Sequence, residues 1–255
     1  MPLCFRAAAL AAIVLAAPAG AAEIKVLTTG AYKPVIAAMA SEFERRTGRT
    51  LRLDNDTAGG LLRRVRDGEV FDLLVLPSAP MQSLVTAGTI AAGPVPLARV
   101  AIGVAVRRGA PLPDIGSVAA FRSTLLAART VAVIDPAAGG SSGIYLAKLF
   151  ERMGIAEPMR AKAVLVPGGL VAQRVVDGQA ELAIHQISEI LAVPAAQLVG
   201  PLPAEIQNYT TYVGGVSASA QDGAAARSLL ELLAGPAARS LLGDKGMEAP
   251  GAGAR

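Results

Sequence analysis

The hydrophobic pattern changes period repeatedly along the chain. Residues 23–27 form a short β-type run that ends in Thr28, Thr29 and Gly30, and across 34–46 Val35, Ala38, Met39 and Phe43 recur at helical spacing. Pro34 suits the first turn of that helix and Gly48 its stop. A strand at 51–53, a polar turn at 54–60 and a helix at 61–67 closed by Gly68 follow. Residues 71–76 are then an almost wholly apolar run, as expected of a strand covered by helices on both faces of a parallel sheet. A short helix at 81–87 and an apolar strand at 100–106 complete the first half, and Pro111, Pro113 and Gly116 mark the loop after it.

The same grammar then returns. It predicts a strand at 130–134, a turn at 135–143, a helix at 144–153, a strand at 162–166, a turn at 167–169, a helix at 170–177 and a strand at 182–184. A proline-rich connection at 194–203, a strand at 209–216 and a helical pattern over 224–242 end the ordered part. Repeated β-α-β alternation predicts an α/β protein of two lobes, each a mostly parallel sheet flanked by helices, with a cleft between them. The expected division is 22–97 for the first part of lobe one, 98–205 for lobe two and 206–249 for the return strand and C-terminal part of lobe one, with 250–255 as a disordered tail. Ligands of such sheets gather at the carboxyl ends of the strands. The turns at 28–33, 56–60, 77–79, 138–145, 167–170 and 185–188 therefore face the cleft, and most of them open a helix whose N-terminal amides suit an anion.

Composition narrows the setting. The 255 residues are 53% hydrophobic and 17% charged with a net charge of +4, which excludes a disordered chain. The basic residues are scattered, with no cluster beyond Arg63, Arg64 and Arg66, so no nucleic-acid partner is indicated. Residues 1–21 read as an export signal: Arg6 at the start, an apolar stretch over 7–17, and the small residues Ala19, Gly20 and Ala21 before a mature start at Ala22. That stretch falls short of the roughly 20 apolar residues that span a bilayer, and the expected location is the periplasm. The single Cys4 lies inside this segment, so the mature chain has no cysteine for a disulfide or a thiolate metal site. Metal-binding and nucleotide-binding motifs are absent, and no cofactor is expected.

Five segments carry a resemblance over nearly the whole mature chain: EIKVLTTGAYKPVIAAMASEFERRTG, GGLLRRVRDGEVFDLLVLPS, VAVIDPAAGGSSGIYLAKLFERMGI, VPGGLVAQRVVDGQAELAIHQISEI and LLAGPAARSLLGDKGME. In order and spacing they resemble the type 2 periplasmic solute-binding proteins, specifically the molybdate-binding branch. The resemblance implies two lobes that close on a small anion, a monomer, and delivery to an ABC-type permease. Molybdate binders present serine hydroxyls in the first two turns, where this chain has Ala31 and Ala58, and Gln186 stands where that family places a tyrosine. Alanine donates no hydrogen bond, which moves the expected ligand from molybdate or tungstate towards an organic polycarboxylate. The sequence also resembles the aconitate isomerases, which share the scaffold and convert trans-aconitate into cis-aconitate by an allylic proton shift.

The expected ligand-binding residues are Thr29, Gly30, Ala31 and Lys33 in the first turn, Thr57, Ala58 and Gly59 in the second, and Ser78 in the third. Ser141, Ser142, Gly143 and Tyr145 follow in the GGSSG segment, with Gly168 and Gln186 beyond. In an isomerase, His185 is the expected proton acceptor and Lys33 or the turn amides hold the developing charge. Asp135 and Glu189 are read as caps, and Arg63, Arg64 and Arg66 as a solvated helix face.

Overall fold

The structure is a computed structural model that describes residues 23–91 and 93–251. The export segment, Cys4 and most of the C-terminal tail lie outside the described residues. Strands and helices alternate from the start: β1 (Glu23–Thr29), α1 (Lys33–Thr47), β2 (Thr50–Asp56), α2 (Ala58–Arg66), β3 (Leu73–Pro77) and α3 (Ser78–Thr86). A long strand, β4 (Val95–Arg107), leads to α4 (Val118–Ala127), β5 (Val131–Ile134), α5 (Ser141–Arg152), α6 (Ala156–Lys162) and β6 (Ala163–Val166). The remainder comprises α7 (Gln173–Val176), β7 (Leu182–Gln186), α8 (Ile187–Leu191), β8 (Ala196–Pro201), β9 (Tyr209–Val216), α9 (Gly223–Ala234) and α10 (Pro236–Leu241).

Helix α1 illustrates how the sequence sets an element. Val35, Met39 and Phe43 of the expected stripe are buried and Ile36 joins them, whereas Ala38 is exposed; Pro34 occupies the first turn, and Gly48 ends it at φ 67° with its N–H donating to the Glu44 carbonyl. Strand β3 confirms the two-sided burial that its apolar run implies. Leu73 and Val75 enter the core beneath α1 and α9, while Leu74 and Leu76 enter a separate core with Leu61 of α2 and Met81 of α3. Burying each such side chain stabilises the fold by about 1.5–3 kcal/mol.

The strand order is β2-β1-β3-β9-β4-β7-β5-β6, with β8 also on β4. Strands β1, β2 and β3 are mutually parallel, as are β5, β6 and β7. Between these triplets lie the antiparallel strands: β9 pairs with β3 and β4, and β4 pairs with β7 and β8. The first half of β4 belongs to the β9 side and its second half to the β7 side, so one strand of 13 residues is shared by both lobes. The register shifts between Pro96 and Ala98 and between Val104 and Ala105 bend it as it passes.

Several elements differ from the sequence expectation, among them the unexpected helix α6 and the earlier start of β4. Helix α4 is an addition, capped by Ser117, whose Oγ accepts from the Ala120 N–H at 3.1 Å, and anchored by Phe121 and Leu125 at i, i+4. The proline-rich connection contains β8, which gains its partner only from β4 across the fold. The final helical pattern breaks into α9 and α10 because Pro236 has no N–H to continue the ladder and starts a new helix instead. Among the described residues, no helix is long and apolar enough to cross a membrane.

Candidate functional site

The carboxyl ends of β1, β2, β5 and β7 converge, with β9 behind them, on a small cavity. From the first lobe, Thr29 and Gly30 end β1, while Asn55, Asp56, Thr57 and Ala58 join β2 to α2. From the second lobe come Ile134 at the end of β5, Gly140, Ser141 and Ser142 at the start of α5, and Gly169 in the turn after β6. His185, Gln186 and Glu189 line it from β7 and α8, and Tyr212 from β9.

Helix starts contribute unequally. The first turn of α2 is already occupied by its own chain: Thr57 Oγ1 accepts from the Gly60 N–H at 3.0 Å, and the Asp56 carboxylate accepts from the Thr57 N–H at 2.6 Å. Helix α5 starts at Gly140 with no side-chain cap, so its first amides and the Ser141 and Ser142 hydroxyls face the cavity without internal competition. Thr29 Oγ1, His185 Nδ1 and Gln186 Oε1 also line the cavity and have no hydrogen-bond partner in the protein, although Gln186 Nε2 donates to Thr210 Oγ1 at 2.9 Å. Buried polar atoms of this kind are uncommon in native folds and mark groups open to a ligand.

The charge distribution is the main surprise. Among the described residues no lysine or arginine lines the cavity, whereas two acidic residues, Asp56 and Glu189, do. Lys33 is exposed at the rim and donates from Nζ to Asn55 Oδ1 at 2.7 Å, which places its charge one residue away from the cavity wall. Glu189 Oε2 lies 3.4 Å from His185 Nε2, the histidine at the end of β7 and the glutamate four residues on in α8, and both side chains are buried. Burial pushes the Glu189 carboxyl up to about 8 and lowers His185 to about 3, because neither charged form is solvated there. The pair therefore holds a single proton across the neutral range, on Glu189. Burial, and then the Glu189 charge, hold the Tyr212 phenol well above its usual range, so it remains a neutral hydroxyl.

Several residues expected in the site lie elsewhere. Ala31 is in the core beneath α1, because the first turn points it inward with Tyr32. Tyr145 is drawn away by the carbonyl of Ile206, to which its hydroxyl donates at 2.6 Å, and Arg152 stacks on its ring. Ser78 Oγ donates to the Thr211 carbonyl at 3.2 Å, Gly143 packs on the Ile134 carbonyl, and Gly168 is exposed beside Gly169. Asp135 caps the short 3-10 turn Pro136–Ala138 by accepting from the Ala137 N–H. Arg64 is tied to Asp54 and Glu69, each at 2.5 Å, and points along the surface of its lobe. Glu189, read from sequence as a cap, is buried in the cavity instead. Its spacing of four from His185 was the available signal. Asn55 and Tyr212 had none, since Asn55 precedes the helix-start segment and Tyr212 arrives on the return strand.

Gly59 is part of the site in a different way. Its N–H donates to the Gly139 carbonyl at 3.1 Å, and Thr57 Oγ1 donates to the Ala138 carbonyl at 2.6 Å, so the two lobes touch directly over the cavity. A Cβ on Gly59 would stand 2.8 Å from Gly139 Cα, and one on Gly139 would stand 2.6 Å from Gly59 Cα. Both glycines are thus required by the close approach of two backbones. Gly59→Val is expected to hold the lobes apart and to raise the radius of gyration seen by small-angle X-ray scattering; an unchanged value would show that closure does not depend on this contact.

The sequence profile of the bacterial extracellular solute-binding proteins matches residues 24–248. The chain is 35% identical over 254 residues to an aconitate isomerase of Pseudomonas sp, covering 94% of this chain and 95% of that protein. Among solved structures, the periplasmic molybdate-binding protein of Azotobacter vinelandii superposes with a TM-score of 0.74 at 17% identity, over 89% of this chain and 99% of that one. A sulfate-binding protein of Mycobacterium tuberculosis gives 0.72 at 17% identity, over 91% and 88%. These structural likenesses establish the periplasmic-binding-protein type 2 fold.

Proposed function

The chain belongs to the bacterial extracellular solute-binding proteins, and on that premise we propose that its cleft takes up a small organic polycarboxylate and isomerises it by an allylic proton shift, as between trans- and cis-aconitate. The observation that carries this reading is the Glu189 carboxyl, buried in the cavity wall against His185 with no cationic side chain beside it. Held protonated near neutrality by burial, this carboxyl meets a polycarboxylate without adding a second negative charge, and it ionises close to neutral pH. A proton carrier is the use that fits it, and a carboxyl pushed up to about 8 by burial is matched to removing a proton from carbon near neutral pH. The 35% identity to an aconitate isomerase supports the same substrate class.

In this reading the Glu189 carboxylate takes a proton from the methylene carbon, and the C–H electron pair moves through the double bond onto a substrate carboxylate. The dienolate is held by the first amides of α5, the Ser141 and Ser142 hydroxyls and the neutral Tyr212 phenol. Glu189 then returns the proton to the former vinyl carbon, so one C–H bond breaks, another forms, and nothing else is consumed. His185 remains a neutral imidazole and orients Glu189, so in this reading the proton-accepting role expected of His185 falls to Glu189, four residues further along the chain.

Capture of a solute for an ABC-type permease is the second reading, favoured by the direct contact between the lobes at Gly59 and Gly139. Both readings set the protein in the periplasm, exported through residues 1–21, as a monomer. The molybdate reading is the weakest of the three, since Ala31 lies in the core and Ala58 offers no hydroxyl. Proton NMR of trans-aconitate mixed with the purified protein tests the proposal. Growth of cis-aconitate signals above a protein-free control is expected. Line broadening without conversion would favour capture, and no response to the carboxylate would overturn both readings.

A further inference from the structure

We propose that Gly30 is the positioning residue of the Glu189 carboxyl: the first turn lacks a side chain there so that this carboxyl, carried by the opposite lobe, rests against the turn. The backbone of Gly30 does not itself call for glycine, since its φ lies outside the left-handed region that ten other glycines of the described chain occupy. What it provides is room. A Cβ built on Gly30 would overlap Glu189 Oε1 and stand 3.3 Å from Glu189 Cδ, with Asn55 Nδ2 next at 3.9 Å.

The two oxygens of Glu189 are thereby held from two sides. Oε1 lies against the Gly30 backbone at the end of β1, and Oε2 lies 3.4 Å from His185 Nε2 on β7. A methyl group at position 30 would push the carboxyl off its seat, and the atom in its way is the end of a rotatable side chain rather than backbone. Gly30→Ala should therefore fold with near-normal stability while moving the carboxyl out of place.

Two readouts separate this role from a merely structural one. The chain has one histidine, so the imidazole nitrogen resonances of His185 report the pair without overlap. Gly30→Ala is expected to shift them in the direction that Glu189→Ala, which removes the contact, does. The catalytic consequence rests on the isomerase reading: displacement of an oriented group by about 1 Å costs about 100-fold in kcat, with KM changed only a few-fold. Shortening the side chain should then compensate, and Gly30→Ala with Glu189→Asp should turn over about tenfold faster than the product of the two single effects. Should Gly30→Ala fail to fold, the same substitution in a Glu189→Ala background is expected to fold as Glu189→Ala alone does; failure there too would overturn the seat. Single effects that simply multiply, or His185 resonances unchanged by Gly30→Ala, would also overturn it. A wild-type protein that converts no aconitate would remove the isomerase reading alone, and the His185 resonances would still decide the role of Gly30.

Discussion

Replacing Glu189 by glutamine is expected to lower kcat for trans-aconitate by about 10³-fold while leaving KM within a few-fold of wild type. Glutamine keeps the length and shape of the side chain, and hence the seat at Gly30 and the contact with His185, but it cannot take a proton from carbon. The loss would therefore fall on the chemical step rather than on binding. Steady-state rates from proton NMR or ultraviolet absorbance give both constants. A variant with unchanged kcat would remove Glu189 from the mechanism, and one with unchanged kcat but a greatly altered KM would make it a binding residue.

Acid should silence the same group. The free protein acts in the form with Glu189 ionised, so kcat/KM is expected to rise about tenfold per pH unit towards pH 8 and then level, a change of about 50-fold between pH 6 and pH 8. Stability should run the other way over part of that range. Burial raises Glu189 from 4.5 to about 8, so its contribution is present below 4.5 and lost as pH rises through 8; His185, lowered from 6.5 to about 3, contributes above 6.5 and loses that contribution as pH falls through 3. Between 4.5 and 6.5 the folded and unfolded pairs each hold one proton, so the pair's contribution is flat there. Above 6.5 the unfolded pair holds none and the folded pair one, and stability should fall by about 2 kcal/mol between pH 6.5 and pH 8. Urea denaturation across pH would measure this, and in Glu189→Gln the alkaline fall should disappear. A wild-type profile flat from 6.5 to 8 would contradict the buried, protonated carboxyl.

The most local signals were the most legible in the sequence. The buried stripe of α1, its Pro34 start and Gly48 stop, and the two-sided burial of β3 follow from periodicity within a dozen residues. What periodicity cannot convey is pairing over distance: β8 is a strand only because β4 lies beside it, and β4 serves both lobes only because β9 and β7 meet it at different ends. The site divides in the same way. Thr29, Thr57, Ser141, Ser142, His185 and Gln186 belong to strand-to-helix turns and line the cavity, whereas Ala31 and Tyr145 belong to such turns and do not. Turn membership fixes the backbone's place but not the direction of each side chain, and Tyr145 answers to a carbonyl 61 residues away. Glu189 resembled an ordinary acidic residue in the first turn of a helix until the fold brought Gly30 against it.

The most direct test is deuterium exchange into trans-aconitate in D2O, comparing the wild-type protein with Glu189→Gln and following the methylene protons by NMR. The expected result is protein-dependent formation of cis-aconitate for the wild type and none for the variant, with little deuterium in the product where Glu189 returns the proton it took. Conversion at equal rates in both proteins, or its absence in the wild type, would contradict a proton shift carried by Glu189.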